Sequence, residues 1–260
     1  MKKGIFYLLF VCFLVFVSFS AFSDSHTIPL DFTTWDSYTA NGSEILSVTP
    51  SEATFRILRT NTGPKGDPKN QSYAYLISGL ISISFDWEKI IIEGTWWKDK
   101  KSGENYQEMV FFTFAKEPSV IHGSGNTNYI YTIYEDWNKI LRCDDVGETP
   151  NVRTEKRISR EMPITPIRFR LIIQRAIPRG KPMWAYWEEE SDGHWEKVYE
   201  QECSNMFNDT SRDKLYFKIG GWTSWEYPVS SILYFKDFRI KVYTPQEIQE
   251  RLGNVVLKRK

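Results

Sequence analysis

The sequence predicts an all-β fold, a two-sheet antiparallel β-sandwich of jelly-roll type with a short C-terminal helix. Three observations carry this. Apolar residues recur at every second position in segment after segment, polar turn clusters punctuate them at short spacing, and no long stretch repeats at the helical period.

Taken in order, residues 1–23 stand apart from the fold. Lys2 and Lys3 precede an apolar run from Ile5 to about Val17, and small residues follow at Ala21 and Ser23. This is the tripartite form of a secretory leader cleaved before Asp24. The alternative is an uncleaved anchor, against which stand the shortness of the run and the serines at 18, 20 and 23. Cys12 lies inside the apolar run and does not resemble a lipid-attachment cysteine. No later stretch is long and apolar enough to span a bilayer, so the mature chain is expected to be secreted or held at the cell surface.

Residues 24–243 read as one β-sandwich domain, with no linker rich in Pro, Gly or Ser and no internal repeat. Strands are expected near 52–58, 73–78, 89–97, 107–115, 129–135, 183–190 and 195–200. Ile81, Ile83, Phe85 and Trp87 alternate with Ser82, Ser84 and Asp86. Phe169, Leu171 and Ile173 alternate with arginines, Leu215, Phe217 and Ile219 with Tyr216, Lys218 and Gly220, and Phe238, Ile240 and Val242 with Arg239 and Lys241. Segment 184–199 is the clearest hairpin, turning at Ser191-Asp192-Gly193. Residues 244–260 form the helix and tail: Thr244 caps, Pro245 takes the first helical position, and Glu247 completes a capping box.

Composition narrows the function. Lys plus Arg and Asp plus Glu are equal at 33 each, which argues against the broad, clustered cationic footprint of a nucleic-acid binder. His26, His122 and His194 are scattered, and no Cys or His pair has ligand spacing, so a catalytic zinc site is set aside. Beyond the leader only Cys143 and Cys203 remain. In an exported chain they are expected to pair, a bridge worth about 4 kcal/mol by the chain-entropy model; two unpaired thiols are the alternative. Aromatics make up 16% of the chain, with ten Trp, enough to fill a core and leave rings for a ligand.

Three stretches carry a resemblance to a known group: Ile81–Trp87 leading into Ile90-Ile91-Ile92-Glu93-Gly94, the 184–199 hairpin, and the closing strand Tyr234–Tyr243. In order and pattern they resemble the concanavalin A-like lectin and glucanase superfamily across most of residues 27–243. The resemblance implies that the last strand pairs beside the first, here Leu30-Asp31-Phe32. It also implies that a structural calcium is possible, with Asp237 and Asp31 as the positions to examine. A laminarinase-type acid signature is sought in Glu190–Glu196, but Asp192-Gly193 forms a turn and the acids cannot line one strand. Tyr106–Phe112 and Gly220–Pro228 are similar to the two acid-bearing segments of a jelly-roll glucanase type, which makes Glu108 and Glu226 the acid pair if the chain is a hydrolase. Phenylalanine stands where that type has tryptophan after the first glutamate.

The aromatic doublets supply the other candidates. Trp96-Trp97 ends a strand, and Trp222 with Trp225 sits in a Gly-rich loop. On an alternating strand one of Trp96 and Trp97 faces outward, and indole rings stack on the C–H faces of sugars. The leading expectation is a secreted, lectin-like protein that binds a polysaccharide or glycan through Trp96, Trp97, Trp222 and Trp225. The alternatives are a glycoside hydrolase and a surface module that binds another protein.

Overall fold

The computed structural model describes residues 26–59, 71–82, 87, 89–100, 109–115, 129–135, 141–145, 154–157, 161–176, 180–202, 214–223 and 229–243. Its strands are β1 (His26–Pro29), β2 (Asp36–Ala40), β3 (Glu44–Val48), β4 (Glu52–Arg59), β5 (Ser72–Ile77), β6 (Ile81–Ser82), β7 (Lys89–Lys98) and β8 (Met109–Ala115). They continue as β9 (Tyr129–Glu135), β10 (Leu141–Asp145), β11 (Thr154–Arg157), β12 (Ile167–Ala176), β13 (Gly180–Ser191), β14 (His194–Glu202), β15 (Lys214–Thr223) and β16 (Val229–Tyr243). The proposed leader and the C-terminal helix lie outside the described residues. Among those residues no helix is long and apolar enough to cross a membrane.

Two antiparallel sheets form the sandwich. The first runs β14-β13-β12-β7-β16-β4-β3, with β1 also on β16; the second runs β11-β10-β9-β8-β15-β5-β2, with β6 beside β15. Alternation explains how they meet. In β4 every second residue is buried, and Ala53, Phe55 and Ile57 join Phe169, Leu171, Ile173, Ile240 and Val242 from the same sheet in one core. Ala74, Leu76, Phe217 and Ile219 of the second sheet face them.

The closing strand is long enough to need a correction in its middle. A register shift between Lys236 and Arg239, with Asp237 at φ 56, marks a bulge. The extra residue restores the inward phase, so Phe235 and Phe238 both enter the core with rings 5.9 Å apart. On one side of β16, β4 covers Val229–Lys236 and β1 covers Arg239–Val242.

The strand beside the closing strand is therefore His26–Pro29, and not Leu30–Phe32 as the pattern suggested. Leu30 and Phe32 are buried in the core, but from Asp31 the chain turns into a 3-10 helix, Phe32–Thr34, and the Asp31 carboxylate accepts from the Thr33 N–H at its start. A short polar side chain that caps locally competes with strand pairing. Of the segment Ile81–Trp87, Ile81–Ser82 pairs with β15 and Trp87 is buried in the core; residues 83–86 lie outside the described set.

Candidate functional site

Each sheet has an outward face, and the two differ in chemistry. On the first sheet the outward face is a ladder of ion pairs. Glu93 accepts from Arg239 at 2.6 Å and from Lys241 at 2.9 Å, Lys236 meets Glu52 at 2.6 Å, and Arg168–Glu190, Arg170–Glu188 and Arg56–Glu44 pair across strands. Burial pushes the Glu93 carboxyl up, but hydrogen bonds from Lys241 and Arg239 outweigh it and hold the group below the usual carboxylate range. Such a face balances its own charge.

The second sheet turns a different surface outward. Tyr73, Tyr75 and Ile77 alternate with core residues on β5, and Tyr216, Lys218 and Trp222 do so on β15. Tyr75, Ile77 and Trp222 are buried in an apolar cluster separate from the main core, with Tyr38 of β2, Tyr73 and Tyr216 half-buried against it. Tyr38 stacks on Tyr75 with centroids 5.1 Å apart, and Tyr73 tilts against Tyr75 at 5.2 Å.

Lys218 belongs to this layer. Its side chain is 1% exposed, and its Nζ lies 5.0 Å from the centre of the Tyr75 ring. Burial lowers its ammonium from the usual lysine range to about 7, because an amine in a poorly hydrated site holds its proton weakly. The Tyr75 hydroxyl moves the opposite way, pushed up by burial and then by repulsion from Tyr73 and Tyr38. The layer thus sets a buried amine whose proton is weakly held beside a phenol that keeps its proton.

Register extends the layer across the sheet. Tyr38 pairs with Tyr75, Tyr75 with Gly220, Gly220 with Phe111, Phe111 with Tyr134, Tyr134 with Arg142, and Arg142 with Arg157. This single row crosses seven strands, about 29 Å at the usual strand spacing. Gly220 at its middle has φ +144, and a Cβ there would lie 2.3 Å from the Ala74 carbonyl oxygen. The row therefore has a step without a side chain between Tyr75 and Phe111.

The sequence-derived candidates fall in several places. Trp96 is 0% exposed and packs against Trp187 and Phe169 in the core. Trp97 faces outward on the first sheet, stacked on Tyr234 at 4.6 Å and 7°. Trp222 lies on the outward face of the second sheet, 6% exposed. The tryptophans do not share one surface: alternation sends Trp96 and Trp97 to opposite faces of β7, and Trp222 belongs to the other sheet.

Trp225, Glu108, Glu226 and Cys203 lie outside the described residues. The strands that Glu108 and Glu226 flank, β8 and β15, are neighbours, with Met109 opposite Trp222. Cys143 occupies β10 opposite Ile133 and Lys156. Of the calcium positions, Asp31 spends one carboxylate oxygen on Thr33 and Asp237 sits at the bulge. Among the described residues no group of three or more His, Cys, Asp or Glu could hold a metal.

The tyrosines and Lys218 were missed as site residues, though a signal existed. Tyr216 and Lys218 occupy the phase opposite Phe217 and Ile219, and Tyr73 and Tyr75 the phase opposite Ala74 and Leu76. Two bulky outward positions on each of two strands announce a covered face, but only pairing shows that β5 and β15 are adjacent.

No family model and no curated protein matches the chain. Solved structures do. An endo-β-1,4-glucuronan lyase from the fungus Trichoderma reesei aligns with a TM-score of 0.56 at 13% identity, covering 85% of this chain and 96% of that one. The lectin-like defence protein arcelin-5 from Phaseolus vulgaris aligns at 0.48 and 10%, covering 85% and 98%. An alginate lyase from a Chlorella virus aligns at 0.49 and 11%, covering 81% and 94%. The likeness to the glucuronan lyase shows a shared two-sheet β-sandwich fold.

Proposed function

We propose that the chain binds a polysaccharide across the outward face of its second sheet. The observation that carries this is the aromatic layer outside the main core, in which Tyr38 and Tyr73 are half-buried beside the buried Tyr75 and Trp222. Aromatic rings give flat apolar contact with polar rims, the chemistry that meets a sugar's C–H face and hydroxyls. Carbohydrate is also the ligand or substrate named for proteins of this fold, among them a lectin complexed with galactose and the glucuronan lyase. Affinity electrophoresis through gels holding different polysaccharides tests it. Retardation by at least one polymer is expected, and Tyr38→Ala or Tyr73→Ala should weaken binding by about 1–3 kcal/mol, taking base-on-ring stacking as a guide. Unretarded migration through every polymer would sink the reading.

A second reading, cleavage of the bound chain, is favoured by Lys218. An amine lowered by burial to about 7 can take up a proton at neutral pH. Hydrolysis by Glu108 and Glu226 is the rival chemistry. A depolymerisation assay separates them. Loss of cleavage in Lys218→Met with retention in Glu108→Gln marks proton abstraction by the amine, and the reverse marks hydrolysis. Export is part of the proposal, because Lys2, Lys3 and the apolar run to Val17 form a leader pattern. N-terminal sequencing of protein from the medium should begin at Asp24, and protein retained in the cytoplasm with Met1 intact would refute it.

A further inference from the structure

The charge balance on the outward face of the first sheet has one exception. Register sets three rows of outward positions side by side across β16, β7, β12 and β13. They read Tyr243-Lys89-Gln174-Trp184, then Lys241-Ile91-Ile172-Tyr186, then Arg239-Glu93-Arg170-Glu188. In the third row and its neighbour Glu93 is held by both Arg239 and Lys241, and Glu188 by Arg170. Four cations thus share two acids, and the one left over is Lys89. Among the described residues no carboxylate lies within ion-pair distance of its ammonium, and neither the Gln174 amide nor the Tyr243 hydroxyl beside it makes a hydrogen bond.

The surroundings make that ammonium costly to leave alone. Lys89 is half-buried, with its Nζ 5.7 Å from the centre of the Tyr243 ring. In the adjoining row Ile91 and Ile172 are only 7% and 8% exposed although they lie outside the core between the sheets. The stems of the long side chains around them therefore cover them and draw charged ends into a less hydrated layer. Burial lowers the Lys89 ammonium from its ordinary range, and repulsion from Arg170 lowers it further against a weaker attraction from Glu188. The potential at Lys89 is positive even before its own charge is counted.

We propose that Lys89 anchors a binding site for an oxyanion, a carboxylate, sulfate or phosphate group, with Gln174 and Tyr243 as neutral donors on either side. Such a group gives the ammonium a charge-assisted partner and offsets the repulsion from Arg170, whereas a neutral ligand does neither. The site lies on the sheet opposite the aromatic layer, so it stands or falls independently of the glycan reading.

The test is a titration of the full chain, carrying carbon-13 in its lysine side chains, followed by NMR at the Lys89 Cε. Its signal is assigned by its loss in Lys89→Met, which should fold with an unchanged or higher melting temperature because no ion pair is removed. Sodium sulfate, sodium phosphate and a uronate trisaccharide are added in turn, against sodium chloride at matched ionic strength. At least one should shift the Lys89 signal saturably and move its pH midpoint up toward the ordinary lysine value, since a bound anion favours the charged amine. Lys197 and Lys236, which already hold Glu200 and Glu52, should not respond. Whichever probe saturates at the lowest concentration names the source, an acidic glycan or a free anion. No shift at Lys89, or unsaturable shifts of equal size at every lysine (an adventitious ion only), overturns the inference and leaves the glycan reading untouched.

Discussion

Lys218 shows how burial converts one residue into a reporter of pH. Its proton is held weakly in the folded chain, near pH 7, and at the ordinary lysine value when unfolded. Between those values the unfolded state binds more protons, so stability rises with pH through that window. Below about 7 both states are protonated and the full cost is present; above the ordinary lysine value the cost is gone. Lys218→Met removes the group while keeping the stem's volume. The variant should melt above the parent at pH 6–7, by a margin on the order of a few kcal/mol, and the two should converge as pH approaches 10. A margin that stays constant across that range would mean the ammonium is not penalised by its site.

Elements are held by single positions where geometry leaves one solution. Gly94 in β7 lies under Phe238, and a Cβ there would meet three ring carbons at 2.6–2.9 Å. That ring has no room to retreat, since Phe32, Phe169, Phe217 and Phe235 surround it at 5.3–6.0 Å. Gly94→Ala should therefore cost about 1–3 kcal/mol in denaturant unfolding. A loss below half of that would show that the ring can shift. At the β13–β14 hairpin, Ser191 pairs with His194 and the two turn residues, Asp192 and Gly193, have φ of 50 and 79. This is the primed turn that Asp-Gly favours. A Cβ at Gly193 meets nothing, so Gly193→Ala isolates the backbone term. It should destabilise by roughly 1 kcal/mol, and no change would place the strain elsewhere.

At the scale of the whole molecule, the first sheet depends on its last strand. β16 lies between β7 and both β4 and β1, and His26 pairs with Val242. The core therefore closes only after nearly the whole chain is present, a topology that folds slowly. A chain ended before Val229 loses the strand that joins β7 to β4, together with Leu233, Phe235, Phe238, Ile240 and Val242 of the core. Such a truncation should show no cooperative thermal transition and should bind a dye for exposed apolar surface. A sharp transition in the truncated chain would mean that the second sheet folds without the first.

Sequence by itself determined the class of fold, most strand positions and the 184–199 hairpin, because these depend on local periodicity and turn chemistry. Residues 129–135 were read as a strand and form β9, and the inward sets of β12, β15 and β16 follow their alternation. Tertiary structure alone decided which strands are neighbours, and with that which residues make up the candidate site. Trp96 and Trp97 are identical in the sequence, yet one fills the core and the other stacks on Tyr234, because only the packed sheet gives each face its environment. Tyr38, Tyr75, Arg142 and Arg157 are far apart along the chain and share a row only through six strand pairings. A ligand face on a sheet runs across the strands, at right angles to the direction in which sequence patterns repeat, so periodicity along a strand cannot show it.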